Sequence, residues 1–184
     1  MRLTRDFYTK DVVKVAKSML GKVLCINHDG KITRVRIVET ESYGGITDKA
    51  AHSYQGRMTE RTKVLFEVGG YVYVYLIYGM YYLLNFVANK KDIPEGVLIR
   101  AVEPLEPQSK ILTNGPGKLT KHLGIDFSFY GEDAVTSQRI YLEDDGYEAV
   151  DIVESKRINI DYAMEDKERL WRFYIKDNNF VSRI

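Results

Sequence analysis

The sequence predicts an α+β fold, a single mixed and mostly antiparallel β-sheet domain with short flanking helices and a protruding β-hairpin. Three observations carry that expectation. Helix-period and strand-period segments do not alternate regularly, which argues against a doubly wound parallel sheet. Successive strand segments are joined by short turns, as in hairpins. The 184 residues hold no internal repeat, low-complexity tract or Pro/Ser-rich linker, and the four prolines all fall between positions 94 and 116, so one domain over residues 1–184 is expected. A chain of this length buries roughly 70% of its unfolded surface, enough for a core without metal or disulfide staples.

Taken in order, residues 9–20 read as an amphipathic helix, with Val12, Val13, Val15, Ala16, Met19 and Leu20 at helical spacing and Gly21 as the stop. Residues 23–26 and 31–41 read as strands joined by the turn Asn27-His28-Asp29-Gly30. Gly69-Gly70 introduces residues 71–77, where β-branched and aromatic side chains dominate. Further strands are expected at 83–87 and 97–102. Pro104 and Pro107 break the chain, a helical turn is expected at 109–112, and Asn114-Gly115-Pro116-Gly117 precedes a helix at 118–123. Short strands around 140–142 and 147–154, a helical turn near 162–169 and a last strand at 172–176 complete the expectation.

With 45% hydrophobic and 29% charged residues, the composition is that of an ordinary globular chain rather than a disordered one. Cys25 is the only cysteine and cannot form an internal bridge, so nothing points to an oxidising compartment. The first residues carry no apolar leader, and no run approaches the ~18 apolar residues of a membrane span. A cytoplasmic location with no membrane partner is expected. The net charge of +1 hides an asymmetry: residues 1–63 carry 13 Lys+Arg and 7 Asp+Glu, whereas residues 132–184 carry 8 and 13. Two outcomes stay open: the fold separates these charges into a positive face for a polyanion, or it intermixes them.

Several segments could carry chemistry. Strict alternation from Arg34 to Tyr43 puts Glu39, Glu41 and Tyr43 on the face begun by Val35 and Ile37. A carboxylate there is either paired and used, or the strand has emerged into water by Glu39; carboxylates are rarely buried. Tyr71, Tyr73 and Tyr75 share a strand face opposite Val72, Val74 and Leu76, which suits either base stacking or a core with hydroxyls at its rim. Tyr78-Gly79-Met80 at a hairpin tip would expose an aromatic ring and a thioether, the kind of wedge that minor-groove binders insert between base pairs, unless the tip packs on the rest of the domain. His28, His52 and His122 are too scattered for a metal site, and His52 among small residues reads as structural. Gly115-Pro116-Gly117-Lys118 lacks the spacing of a nucleotide-binding loop, though it could hold one backbone phosphate.

Together these segments resemble the alkyladenine (3-methyladenine) DNA glycosylase family. The resemblance runs from about residue 20 to residue 182. It rests on Arg36-Ile37-Val38-Glu39-Thr40-Glu41-Ser42-Tyr43, Asp48-Lys49-Ala50-Ala51-His52-Ser53, Tyr73-Val74-Tyr75-Leu76-Ile77-Tyr78-Gly79-Met80-Tyr81, Leu98-Ile99-Arg100-Ala101-Val102-Glu103-Pro104-Leu105, Gly115-Pro116-Gly117-Lys118-Leu119 and Trp171-Arg172-Phe173-Tyr174. Ser42 stands where the family has alanine. The resemblance implies excision of alkylated purines, and hypoxanthine in many members, from double-stranded DNA, leaving an abasic site, with no metal or cofactor and as a monomer. It implies Glu41 as the catalytic carboxylate and Arg100 as the residue orienting water. Tyr43, His52 and Tyr75 would bind the flipped base, and Asn85 would set selectivity. Tyr78 and Met80 would intercalate, and Arg57 and Lys118 would meet the DNA backbone. A backbone carbonyl near Ile158 would help hold the water.

Flipping is required because a stacked base cannot be reached inside a duplex. A second carboxylate, Glu39, leaves a two-carboxylate scheme conceivable, and no acid for protonating a neutral leaving base is evident. Two other classes stay open: a non-catalytic binder of damaged or single-stranded nucleic acid, and a structural protein that self-associates through its tyrosine sheet. A carboxylate on the apolar face argues against the binder, since a polyanion gains nothing from it.

Overall fold

The computed structural model describes residues 1–106 and 113–183. A short helix, α1 (Arg5–Tyr8), leads to α2 (Val12–Met19); the strands are β1 (Val23–His28), β2 (Lys31–Tyr43), β3 (Val72–Ile77), β4 (Tyr81–Ala88), β5 (Glu95–Pro104), β6 (Ile140–Glu143), β7 (Ile152–Ser155) and β8 (Arg172–Ile175), with α3 (Pro116–Leu123) between β5 and β6. The strands run in the order β3-β4-β5-β2-β1-β6, with β8 joining β2 to β7, and every pairing is antiparallel. The mixed, antiparallel α+β expectation holds. The helical turn expected at 109–112 lies outside the described residues. No helix among the described residues is long and apolar enough to cross a membrane.

Local chemistry sets the boundaries. The α2 helix starts at Val12, the first residue of its apolar spacing and later than the expected position 9, because the Asp11 carboxylate caps it, accepting from the amides of Val13 and Lys14. Its buried residues Val12, Val15, Ala16 and Met19 lie in the main core with Val35, Ile37, Val72, Val74, Phe86, Val97 and Ile99. Asp29 and Gly30 both take positive φ (51° and 89°), as a two-residue hairpin turn between β1 and β2 demands. The expected strand over 147–154 shrinks to Ile152–Ser155. Tyr147 is used elsewhere, its ring under the Arg36 guanidinium at 4.1 Å, and the Asp145 carboxylate accepts its amide in a turn. The turn at Asp161–Glu168 is 3-10 rather than α and breaks at Met164, where φ is +53°.

Strand β2 organises the molecule. Over Glu39–Glu41 it is flanked by β5 on one side and β8 on the other, so this stretch is central in the sheet. The ladder to β5 shifts register between Ile37 and Thr40, a bulge-type irregularity of the sort found next to active sites. Ile37 and Val38 are both in the main core, so the simple alternation from Val35 does not carry through. Beyond the shift it resumes: Thr40 and Ser42 donate to the carbonyls of Ala16 and Val12 in α2, while Glu39 and Glu41 point the other way, towards Arg100.

Candidate active site

Both carboxylates are fully buried, with no exposure at all; the strand has not emerged into water. Glu41 Oε1 accepts the Ile158 amide at 2.8 Å, and Oε2 accepts the Tyr43 hydroxyl at 2.8 Å. Arg100 on β5 places Nη1 3.4 Å from Glu41 Oε1 and Nε 3.5 Å from Glu39 Oε1, longer than the 2.7–2.9 Å of charge-assisted hydrogen bonds. Arg100 Nε has no hydrogen-bond partner among the described residues. Glu39 is fully engaged, with Arg172 Nη1 at 2.8 Å and the Ser182 hydroxyl and amide at 2.9 and 2.7 Å. With three of about four acceptor sites taken by Arg172 and Ser182, Glu39 serves the fold, which argues against a two-carboxylate scheme. At Ile158 the group meeting Glu41 is the amide.

Tyr43, Arg100 and Ile158, the three groups that hold Glu41, line a cavity of about 690 Å³ together with His52, Tyr75 and Asn85. Its walls are aromatic and tightly fixed. Tyr75 and His52 meet edge to face with centroids 4.6 Å apart, and His52 Nδ1 lies 2.8 Å from the Tyr73 hydroxyl. Burial, aided by the Arg61 and Arg57 guanidinium groups, pushes His52 down to about 4, so the ring is neutral at pH 7. Burial likewise pushes the Tyr73 phenol up to about 12, raises Tyr75 further, and holds Tyr43 well above the usual phenol range with help from the Glu41 charge. Asn85 sits inside β4, donating to the Tyr73 carbonyl at 3.2 Å and the Leu83 carbonyl at 3.4 Å, and still borders the cavity. Lys118 lines the same cavity and donates to Asn114 at 3.1 Å. Arg57 borders an adjoining cavity of about 580 Å³ that shares Ala50, Ala51, His52, Arg61 and Tyr162 with the first.

The tyrosine face divides. Val72 and Val74 enter the main core while Tyr73 packs in a second cluster with Val64, Leu65 and Val87, with Tyr71 and Tyr75 against it; the alternation read from sequence holds over that stretch. At the tip between β3 and β4, Tyr78 is 77% and Met80 65% exposed. A side chain built on Gly79 would meet nothing, so the tip does not pack on the rest of the chain. Tyr78 and Gly79 both take positive φ (53° and 66°), and the Met80 amide closes the turn on the Ile77 carbonyl at 3.2 Å.

Sequence reasoning missed the support behind Tyr43. Arg157 and Asp48 form a doubly hydrogen-bonded pair at 2.5 and 2.9 Å, both side chains fully buried. The guanidinium lies 5.0 Å from the Tyr43 ring and 5.3 Å from the Trp171 ring and also binds the Ser42 and Asp166 carbonyls. Arg61, over the Tyr75 ring at 5.0 Å, was also missed. Asp48 stands in a segment already noted and Arg157 only next to Ile158, but 109 residues separate them and no local pattern announces the contact.

Comparison with known proteins now bears on this geometry. The methylpurine-DNA glycosylase family matches the chain over residues 6–179. A protein of Clostridium novyi (strain NT) named "Putative 3-methyladenine DNA glycosylase" is 51% identical over 201 residues, covering 99% of this chain and 98% of that one. Proteins of the same name from Borreliella burgdorferi (strain ZS7) and Natranaerobius thermophilus are 51% and 46% identical, covering 98% and 99% of this chain and 100% and 99% of theirs. Similarity of that depth spans the strand that buries Glu41, the hairpin and the arginine facing both carboxylates, and it leaves no part of the site outside the match: the chain belongs to the methylpurine-DNA glycosylase family, DNA N-glycosylases of base-excision repair.

Proposed function

We propose that the chain excises 3-methyladenine, 7-methylguanine and hypoxanthine from double-stranded DNA, acting as a monomer in the cytoplasm. The observation that carries this reading is the buried Glu41 carboxylate, held by Tyr43, Ile158 and Arg100, which line an aromatic cavity. The nucleotide flips out at a cost of a few kcal/mol, and Tyr78 with Met80 fills the gap in the stack. The purine lies between Tyr43 and His52 with Tyr75 at its edge. Neutral His52 and the electron-rich tyrosines suit a base made cationic by alkylation, while Asn85 crowds the 2-amino group of guanines, so that normal guanine is refused and 7-methylguanine, already a good leaving group because it is cationic, is excised despite the crowding. Arg100 and Glu41 hold a water against C1′, and Glu41 takes its proton as the sugar becomes oxocarbenium-like. Arg57 and Lys118 meet phosphates.

A non-catalytic binder of damaged nucleic acid has no use for a desolvated carboxylate beside its pocket. Glu41→Gln separates the readings. Single-turnover excision of 7-methylguanine is expected to fall ~10²–10⁴-fold, the usual worth of a general base, with lesion binding retained. Wild-type rates in the variant would remove Glu41 from the reaction, and a wild-type protein that binds lesions without excising them would favour the binder.

A further inference from the structure

When an alkylated, cationic purine leaves, the electron pair of the C1′–N9 bond neutralises it. When a neutral purine such as hypoxanthine leaves, the same pair makes it an anion, while water adds to C1′ and gives its proton to Glu41; the purine anion then takes a proton from solvent. The second reaction needs either an acid or a positive charge near the leaving base. The cavity lining contains no aspartate or glutamate. The Tyr43, Tyr73 and Tyr75 hydroxyls are held protonated by burial and His52 is held neutral. Arg100 is engaged between two carboxylates, and Lys118 is turned to Asn114.

Arg61 remains. It is exposed at the junction of the two cavities, has no ion-pair partner among the described residues, and holds its guanidinium 5.0 Å from the Tyr75 ring. Its field reaches both the Tyr73 hydroxyl and His52, the two groups that frame the wall on that side. We propose that Arg61 biases the site towards neutral purines, stabilising the negative charge that such a base carries away and opposing entry of a base that is already positive. Both effects act in one direction, so the ratio of the two excision rates reports them together. The inference rests on the base-pocket reading above.

Its test compares duplexes identical except for hypoxanthine or 7-methylguanine, with enzyme in excess so that product release does not interfere. Arg61→Gln is expected to lower the hypoxanthine rate relative to the 7-methylguanine rate by about tenfold, the scale of one partly solvated charge acting just beyond contact. Arg61→Lys should keep most of the ratio, and Arg57→Gln should move both rates alike. An unchanged ratio in Arg61→Gln overturns the inference: equal losses would make Arg61 a phosphate contact, and no loss would make it idle. A wild-type protein that excises 7-methylguanine but not hypoxanthine also overturns it while leaving the pocket reading intact, whereas excision of neither base, nor of 3-methyladenine in a parallel duplex, overturns the pocket reading itself.

Discussion

His52 shows how much of this site depends on keeping one side chain uncharged. Its ring borders both cavities, packs on Tyr75 and pairs with the Tyr73 hydroxyl, and a proton there would face two guanidinium groups with no carboxylate to compensate. The unfolded chain binds that proton near pH 6.5 and the folded chain near 4. Between those values the unfolded state therefore holds more protons, and the stability owed to neutral His52 is full above pH 6.5 and lost as pH falls towards 4. At pH 5 the loss amounts to about 2 kcal/mol. Urea unfolding of wild type and His52→Gln at pH 7 and pH 5 checks it: the wild type should lose that much more than the variant, and parallel losses would show that His52 titrates normally. From sequence His52 reads as a structural histidine; one ring nitrogen is satisfied by the Tyr73 hydroxyl, but nothing local could indicate the guanidinium groups around it. Glu41 was legible as an anomaly on a strand face; its burial was not, because burial depends on two partner strands that arrive from elsewhere in the chain.

Strands β3 and β4 with their turn form an element whose sequence says more about exposure than about fold. Alternation and the Tyr78-Gly79-Met80 turn were readable because hairpin pairing is local, Ile77 lying opposite Tyr81. In β2 the same reasoning fails at the register shift, where one strand count no longer predicts one face. Tyr78 occupies a left-handed backbone conformation that costs a non-glycine residue roughly 1–2 kcal/mol, and its ring has no packing to offset that cost. A tip built this way is free to meet something outside the chain. Tyr78→Ala retains the backbone penalty and removes only the ring, so the melting temperature should stay within about a degree or two, as for other exposed substitutions. Binding to a lesion duplex should weaken by ~1–3 kcal/mol, one stacking interaction. A large drop in melting temperature with undiminished binding would mean that the ring supports the fold instead.

At the scale of the whole molecule, the charge asymmetry of the sequence resolves in part into pairing. Arg5, Lys17, Lys22, Arg34, Arg36 and Lys49 of the basic front meet Asp133, Glu154, Asp144, Glu143, Asp145 and Glu165 of the acidic back. Exposed pairs of this kind add little stability each. Arg57 and Arg61 have no ion pair among the described residues and lie beside the cavities. A second long-range closure bears on the site directly. The C-terminal segment returns to β2, where Ser182 gives Glu39 its amide and hydroxyl and Arg172 binds both Glu39 and the Arg183 carbonyl. Glu39 and Glu41 share Arg100, so what satisfies one carboxylate decides how far the arginine serves the other. Ending the chain at Val181 strips Glu39 of two of its three hydrogen bonds. A buried acceptor left short of partners costs about 1–3 kcal/mol, and the truncated chain should unfold at correspondingly lower urea. Arg100 should also be drawn towards Glu39, so excision should fall by less than in Glu41→Gln, whereas Ser182→Ala, which keeps the amide, should lose less on both measures. If the truncated chain matches wild type in urea and in single-turnover excision, Glu39 is satisfied without the C-terminal segment, and the tail has no part in setting Arg100.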